Sequence, residues 1–189
     1  MSSAVAQIPR MAPLLLALLV ACTPEEIALR DELGNEESFA ALNKSQEANV
    51  WLFFSPECPL CINYVPTFRD MLAEWQGDSV MFRAVVSGTY YDASDMQAFR
   101  QKQQIELPVY FDPSHKLRKA YRASITPEVL LVDREGKMLY RGAIDNWAIS
   151  LGKKRLKVSE HYLRDAVDQF LAGKKIETTR TQAIGCFIE

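Results

Sequence analysis

One short stretch constrains the fold more than any other: two cysteines, Cys58 and Cys61, stand between an apolar run and a helical pattern. The aromatic-rich run from Val50 to Phe54 is typical of a buried strand, and Ser55-Pro56 ends it. From residue 59 to residue 76, apolar side chains recur at helical spacing on one face. The sequence therefore predicts a strand that delivers both cysteines to the start of a helix.

That placement favours redox chemistry. A cysteine in the first turn of a helix lies near unpaired backbone N–H groups and the positive end of the macrodipole. These lower the thiol pKa from about 8.5 into a range of about 3.5–7.5. Two intervening residues place the Cys61 thiol one turn on, where it can attack a mixed disulfide formed on Cys58. A zinc ribbon would need a second C-x-x-C motif, and a c-type haem would need histidine at the position of Ile62.

The stretch resembles the thioredoxin superfamily, and within it the redoxin branch (alkyl hydroperoxide reductase/thiol-specific antioxidant-like domains). Pro66 matches the proline that kinks the active-site helix in that branch, and Ile125-Thr126-Pro127 matches its cis-proline segment. The resemblance spans roughly residues 27 to 172. It implies an α/β, thioredoxin-like fold: a central mixed sheet, with a parallel core and an antiparallel edge hairpin, and helices on both faces.

The resemblance also implies roles for particular residues. Cys58 would be the nucleophile and Cys61 the resolving thiol, while a cis Pro127 would lie against them and leave the preceding backbone free to pair with a bound peptide. Glu57 and Glu128 are candidates for proton handling; solvated surface charge is the favoured interpretation for Glu57, and the alternatives stay open for Glu128. The buried aspartate of thioredoxins is replaced here by Leu52, so the proton acceptor that thioredoxins use is missing at this position.

Cys186 is an additional cysteine near the end of the chain, preceded by Gly185. It could reach the active site and form a mixed disulfide with Cys58, ligate a metal there, or be an incidental exposed thiol. The two histidines, His115 and His161, are expected to be solvated.

Two other functions compete with thiol–disulfide exchange. Peroxiredoxins carry proline seven residues and threonine or serine three residues before the peroxidatic cysteine; here Trp51 fills the first position and Ser55 the second, and Arg141 is a candidate for their active-site arginine. A copper-binding accessory protein would use Cys58 and Cys61 with a histidine, but the spacing differs from the expected C-x-x-x-C. Neither a cofactor nor a metal is expected.

Residues 1–21 are interpreted as a lipoprotein signal peptide, since Arg10 precedes an apolar run of residues 11–21 that is too short to span a bilayer. Leu19-Val20-Ala21-Cys22 resembles a bacterial lipobox, which implies cleavage before Cys22 and its lipidation; an ordinary secretory signal or an uncleaved anchor is the alternative. The expected location is the cell envelope, facing the periplasm or exterior. Partners there would be protein thiols or disulfides and an upstream electron donor or thiol reductant.

The remaining organisation follows from composition and pattern. The chain has 189 residues, 48% of them hydrophobic and 24% charged, with a net charge of −2, so nothing points to nucleic acid or to intrinsic disorder. We expect a tether and leading strand over residues 22–37, a thioredoxin-like domain over 38–175 and a tail over 176–189. Residues 144–158 are expected to form a long loop, with Ser159 capping the last helix.

Overall fold

The computed structural model describes residues 26–75 and 79–188. The predicted signal peptide and Cys22 lie outside these residues. The strands are β1 Ala28–Arg30, β2 Glu36–Ser38, β3 Ala48–Phe53, β4 Val80–Ser87, β5 Val109–Asp112, β6 Ile125–Thr126, β7 Glu128–Asp133, β8 Met138–Gly142, β9 Ala148–Ser150, β10 Lys153–Lys154 and β11 Cys186–Phe187. The helices are α1 Phe39–Asn43, α2 Pro59–Asn63, α3 Val65–Glu74, α4 Ala93–Gln103, α5 Lys116–Tyr121 and α6 Tyr162–Leu171.

Seven strands form the central sheet, in the order β2-β1-β5-β4-β3-β7-β8. Strands β3, β4 and β5 are mutually parallel, whereas β7 and β8 continue the sheet as an antiparallel hairpin on the other side of β3. This is the predicted mixed sheet with its parallel core and antiparallel edge hairpin. The fold class predicted from the sequence is therefore confirmed.

Helices cover both faces of the sheet because side chains alternate along each buried strand. On β3, Val50 and Leu52 join a core cluster that includes residues of α3, α4 and α6. Trp51 and Phe53 point to the opposite face and pack with α1 and α5. Strand β3 is buried on both faces, as expected of a central strand in a parallel core.

The helix that follows Cys58 is divided where the redoxin resemblance implies a kink. α2 ends at Asn63, Tyr64 caps it, and α3 resumes at Val65 with Pro66 near its start. Proline has no N–H to donate and is tolerated in the first turn of a helix, so the second segment begins there. This division keeps the cysteines on the short first segment and the apolar stripe on the longer second one.

Several local predictions need correction. Residues 144–158 are not a long loop throughout, because β9 and β10 pair there as a small hairpin. Ser159 does not cap α6, whose N-cap is His161; Ser159 exchanges hydrogen bonds with Asn146 instead. Within residues 26–75 and 79–188, no helix is both long and apolar enough to cross a membrane.

Phe68 tests the packing of α3 against the sheet. Its side chain is fully buried in the larger cluster, so Phe68→Ala should lower the free energy of unfolding by about 3–5 kcal/mol. Phe187→Ala is the matched control, because this phenylalanine is 81% exposed; its change should stay within about 0.5 kcal/mol. Urea unfolding followed by tryptophan fluorescence measures both, and equal losses would contradict the assigned core.

Candidate active site

Cys58 lies at the junction between β3 and the active-site helix. It is the N-cap residue of α2, where its carbonyl oxygen accepts a hydrogen bond from the Ile62 N–H at 3.0 Å. Its own N–H donates to the carbonyl of Ser55 at 3.2 Å, which closes the turn after the strand. Cys58 is 3% exposed and Cys61 is fully buried. The nucleophile candidate therefore lies at the surface edge of the core, with its partner thiol behind it.

The segment before β7 faces Cys58 from the neighbouring strand. The Thr126–Pro127 peptide bond is cis, as the resemblance implied, and Pro127 is buried. Antiparallel pairing opposes Phe53 to Glu128, so the end of β3 meets the start of β7. The Cys58 Sγ lies 3.2 Å from the Thr126 carbonyl oxygen, to which a protonated Cys58 can donate.

The chain's last residues bring the additional cysteine, Cys186, into the same site. Strand β11 pairs antiparallel with β6, with Cys186 opposite Thr126 and Phe187 opposite Ile125. The Sγ atoms of Cys58 and Cys186 are 2.6 Å apart. Of the three alternatives left open by the sequence, the incidental exposed thiol does not describe this placement.

The three thiols differ in acidity for identifiable reasons. Hydrogen bonding from the Cys61 thiol, and to a smaller extent from Cys186 and the backbone N–H groups of both residues, lowers the pKa of Cys58 to about 4 against the opposing effect of burial. Burial, and then the hydrogen bond to Cys58 and its charge, raise the pKa of Cys61 well above its ordinary value. The same causes raise the pKa of Cys186 to about 12. At neutral pH the site thus holds one thiolate, on Cys58, and two thiols.

The two glutamate candidates differ in their surroundings. Glu57 is exposed and accepts a hydrogen bond from the Tyr91 hydroxyl at 3.1 Å. Glu128 is 4% exposed, forms an ion pair with Arg141 at 3.2 Å, and accepts a hydrogen bond from the Ser124 N–H at 3.0 Å. The Glu128 carboxylate is thus held by one ion pair and one backbone hydrogen bond. Any role of either residue in proton transfer stays a prediction.

A cavity of about 530 Å³ opens beside the cysteines, and the sequence did not identify all of its lining. Besides Cys58 and Cys186 it is lined by Glu57, Tyr91 and His115. His115 was expected to be solvated, but it is half-buried and its Nδ1 lies 3.1 Å from the Ser87 hydroxyl. His115 adopts a positive φ of 58° ahead of α5, which no sequence pattern announced.

A second polar feature missed from the sequence lies on the other side of Pro127. Tyr64 donates a hydrogen bond of 2.6 Å to Asp145, which is 7% exposed and also accepts from the Trp147 N–H. Burial, and then this carboxylate, raise the pKa of the Tyr64 hydroxyl. Tyr64, Asp145 and Pro127 line a cavity of about 270 Å³. Tyr64 follows Cys61 by three residues, about one helical turn, and this spacing was the only feature of the sequence that could have placed Tyr64 near the cysteines.

Solved structures similar to this chain share its fold over most of their length. A hypothetical protein from Sinorhizobium meliloti 1021 is 28% identical, with 86% of this chain and 90% of that one covered and a TM-score of 0.72. An uncharacterized conserved protein from Geobacillus kaustophilus is 25% identical, with 87% and 88% covered and a TM-score of 0.75. A Chlorobium tepidum protein assigned as a thiol:disulfide interchange protein DsbE is 18% identical, with 78% and 92% covered and a TM-score of 0.53. No curated protein matches the chain.

Residues 22–141 match the AhpC/TSA family, which is well over half of the sequence. The chain belongs to the AhpC/TSA family. Membership in this redoxin family confirms the resemblance stated from the cysteine motif and makes the protein an oxidoreductase. In the described part of this AhpC/TSA protein, no group of three or more histidine, cysteine or acidic side chains has a geometry that could hold a metal ion.

The acidity of Cys58 predicts an unusual pH profile of alkylation. Because its pKa of about 4 lies below the range tested, the thiolate persists on the acid side, and the iodoacetamide rate at Cys58 should change little between about pH 5 and pH 8. An ordinary thiol, with a pKa of about 8.5, would react roughly tenfold faster per unit of pH over that range. Fragment-ion mass spectrometry of the tryptic peptide 45–69 locates the label. The urea-unfolded chain is the control, and a folded profile as steep as the unfolded one would contradict the assignment.

Proposed function

We propose that this protein is a thiol–disulfide oxidoreductase of the cell envelope, with Cys58 as nucleophile and Cys61 as resolving cysteine. The observation that carries the proposal is geometric: Cys58 is the N-cap residue of α2, Cys61 lies fully buried in the first turns of that helix, and the cis Thr126–Pro127 bond faces Cys58. The lowered pKa of Cys58 is consistent with this arrangement. The thiolate is the reactive form in disulfide exchange. Pro127 and the Thr126 backbone complete the site on the opposite strand.

The reaction would run in two exchanges. The Cys58 thiolate attacks a substrate disulfide, forming a mixed disulfide and releasing one substrate thiolate. This step removes the negative charge from Cys58, and with it the hydrogen bond and the charge that raise the pKa of Cys61. Cys61 is therefore easier to deprotonate once the mixed disulfide exists, and its thiolate then attacks Cys58. The second substrate thiolate leaves, and the Cys58–Cys61 disulfide remains.

The residues at the positions that peroxiredoxins use for catalysis make other contacts in this protein. Trp51, at the position of the peroxiredoxin proline, is fully buried and donates through Nε1 to the Asn43 side chain at 2.9 Å. Arg141 is ion-paired with Glu128 and also donates to backbone carbonyls, including that of Arg122. These contacts favour disulfide exchange over peroxide reduction, which stays the second outcome to be tested. A copper-binding role has no observation of its own in its favour.

The proposed location and partners follow from the sequence. The lipobox-like segment ending at Cys22 supports a lipid anchor, which would keep the domain at a membrane facing the periplasm or exterior. Substrates would then be thiols or disulfides of envelope proteins. Because dithiols become oxidised outside the cytoplasm, a reductase there also needs an electron donor or thiol reductant.

Trapping tests the two-step mechanism. In the full chain carrying Cys61→Ser and Cys186→Ser, Cys58 should accumulate a mixed disulfide with a peptide disulfide substrate, because no thiol remains in the site to resolve it. Adding Cys58→Ser to this variant should abolish the trapped species. Intact-mass spectrometry measures both, and absence of the adduct in the first variant would contradict the assignment of Cys58.

The redox behaviour of the wild-type chain distinguishes the competing functions. A Cys58–Cys61 potential near about −270 mV would indicate a reductase, and one near about −120 mV an oxidant. Rapid consumption of hydrogen peroxide with a sulfenic acid on Cys58 would favour the peroxidase instead. Disulfide reduction without peroxide turnover is the expected result.

The anchor predicts a change in fractionation. The wild-type chain expressed in a bacterial host should incorporate radiolabelled palmitate and sediment with membranes, whereas Cys22→Ser should lose the label. Label retained in Cys22→Ser would overturn the lipidation site. Absence of label from both chains would favour an ordinary signal peptide or an uncleaved anchor.

A further inference from the structure

The C-terminal tail reaches the active site along a path built for close approach. At its start it lies beside β8: the Arg141 N–H donates to the Thr179 carbonyl, and the Thr181 N–H donates back to the Arg141 carbonyl, both at 3.1 Å. The next residue on β8, Gly142, has a φ of +148°, and a Cβ there would lie 2.3 Å from the Thr181 hydroxyl oxygen. The absence of a side chain at Gly142 therefore allows the tail to lie against the sheet edge.

A second glycine allows the tail to reach the cysteines. A Cβ at Gly185 would lie 2.0 Å from the Thr126 carbonyl oxygen, which is too close for any side chain to be accommodated there. Beyond it, Cys186 and Phe187 pair with Thr126 and Ile125 as a short antiparallel strand. The Ile188 N–H extends the pairing by donating to the Ser124 carbonyl at 3.0 Å. This backbone pairing places the Cys186 thiol against Cys58.

The tail thus has the form of a bound substrate strand. An extended segment that adds to an exposed strand edge gains affinity from main-chain hydrogen bonds, with its side chains directed by the pairing register. Strand β11 makes this interaction with β6 and presents a cysteine to the sulfur of Cys58. A substrate strand that used the same edge would have to displace it.

We propose that Cys186 is a third redox cysteine, which exchanges with Cys61 for the sulfur of Cys58 while the tail occupies the strand site that a substrate cysteine would use. This inference rests on the proposed thiol–disulfide function. The 2.6 Å separation of the Cys58 and Cys186 sulfurs is close to the about 2.05 Å of a disulfide bond, so little movement is needed.

The exchange needs no added oxidant or reductant. The Cys186 thiolate attacks Sγ of Cys58 in the Cys58–Cys61 disulfide. The Cys58–Cys186 bond forms, the Cys58–Cys61 bond breaks, and Cys61 leaves as a thiolate that takes up the proton lost by Cys186. The oxidation state of the chain is unchanged, and the freed Cys61 is a buried thiol, the form that its surroundings favour.

Two pairings of the oxidised chain can be distinguished by tryptic mapping. Cys58 and Cys61 lie in one peptide, 45–69, whereas Cys186 lies in 181–189 and Cys22 in 11–30, or in 22–30 once the proposed signal peptide is cleaved. The full chain is equilibrated in a glutathione redox buffer, quenched with acid and alkylated before digestion. We expect peptide 45–69 linked to 181–189, with the alkyl label on Cys61, alongside the internally bridged peptide 45–69.

Two variants separate the thiol from the strand that carries it. Cys186→Ser keeps the tail sequence but should abolish the linked peptides, with the Cys58–Cys61 bridge retained. Gly185→Ala keeps all three active-site thiols but adds the colliding Cβ, so it should reduce the linked fraction by about tenfold or more. Gln182→Ala, an exposed tail residue, is the matched control and should leave that fraction unchanged.

Steady-state kinetics with a peptide disulfide give a second measurement, which should not change if the tail has only a structural role. If the tail competes with substrate, Gly185→Ala should lower KM for a peptide disulfide and change kcat little. The reason is that the strand edge of β6 would be free of the tail in a larger fraction of the enzyme. Linked peptides absent from the wild type, or equally abundant in Gly185→Ala, would overturn the inference even where Cys58–Cys61 turnover persists. If the wild-type chain shows no disulfide turnover through Cys58 and Cys61, the proposed function is wrong instead.

Discussion

The antiparallel register between β3 and β7 is the constraint on which the site depends. It opposes Phe53 to Glu128, so the turn that carries Cys58 and the segment that carries Pro127 emerge at the same end of the sheet. They are separated by nearly seventy residues of chain, and the sheet alone brings them together. A slip of one residue would move the side chains of β7 to the opposite face and withdraw the Thr126 carbonyl from Cys58.

The parts of the fold and of the site that could be predicted are those specified by local sequence patterns. The strand, the cysteine motif and the amphipathic helix are contiguous, and each signal lies within a few residues of the structure that it specifies. The cis-proline segment was found through the family resemblance rather than through any pattern of its own. The edge hairpin was implied by the same resemblance, and β7 and β8 form it.

What the sequence left open depends on contacts between distant segments. The docking of Cys186 depends on Gly185 meeting Thr126 and on Gly142 meeting Thr181, and neither pair is close in sequence. The ion pair between Glu128 and Arg141 similarly depends on the hairpin register. The exposure of His115 was predicted wrongly. Its positive φ and its contact with Ser87 arise in the loop between β5 and α5, and a loop has no helical or strand periodicity from which they could be predicted.

The replacement of the usual buried aspartate by Leu52 changes where the site obtains its electrostatic asymmetry. Leu52 is fully buried in the same cluster as Cys58 and Cys61, so position 52 offers no carboxylate that could accept a proton from Cys61. The asymmetry comes instead from the thiols, since Cys61 and Cys186 both donate to Cys58 and thereby lower its pKa while raising their own.

Forming a disulfide on Cys58 consumes that thiolate and removes the contribution that its charge and hydrogen bonds make to the pKa of the other two thiols. The state of one sulfur thus controls the readiness of both neighbours to attack it. Under the proposed exchange, Cys58 would be the common centre of two alternative disulfides, one with Cys61 and one with Cys186.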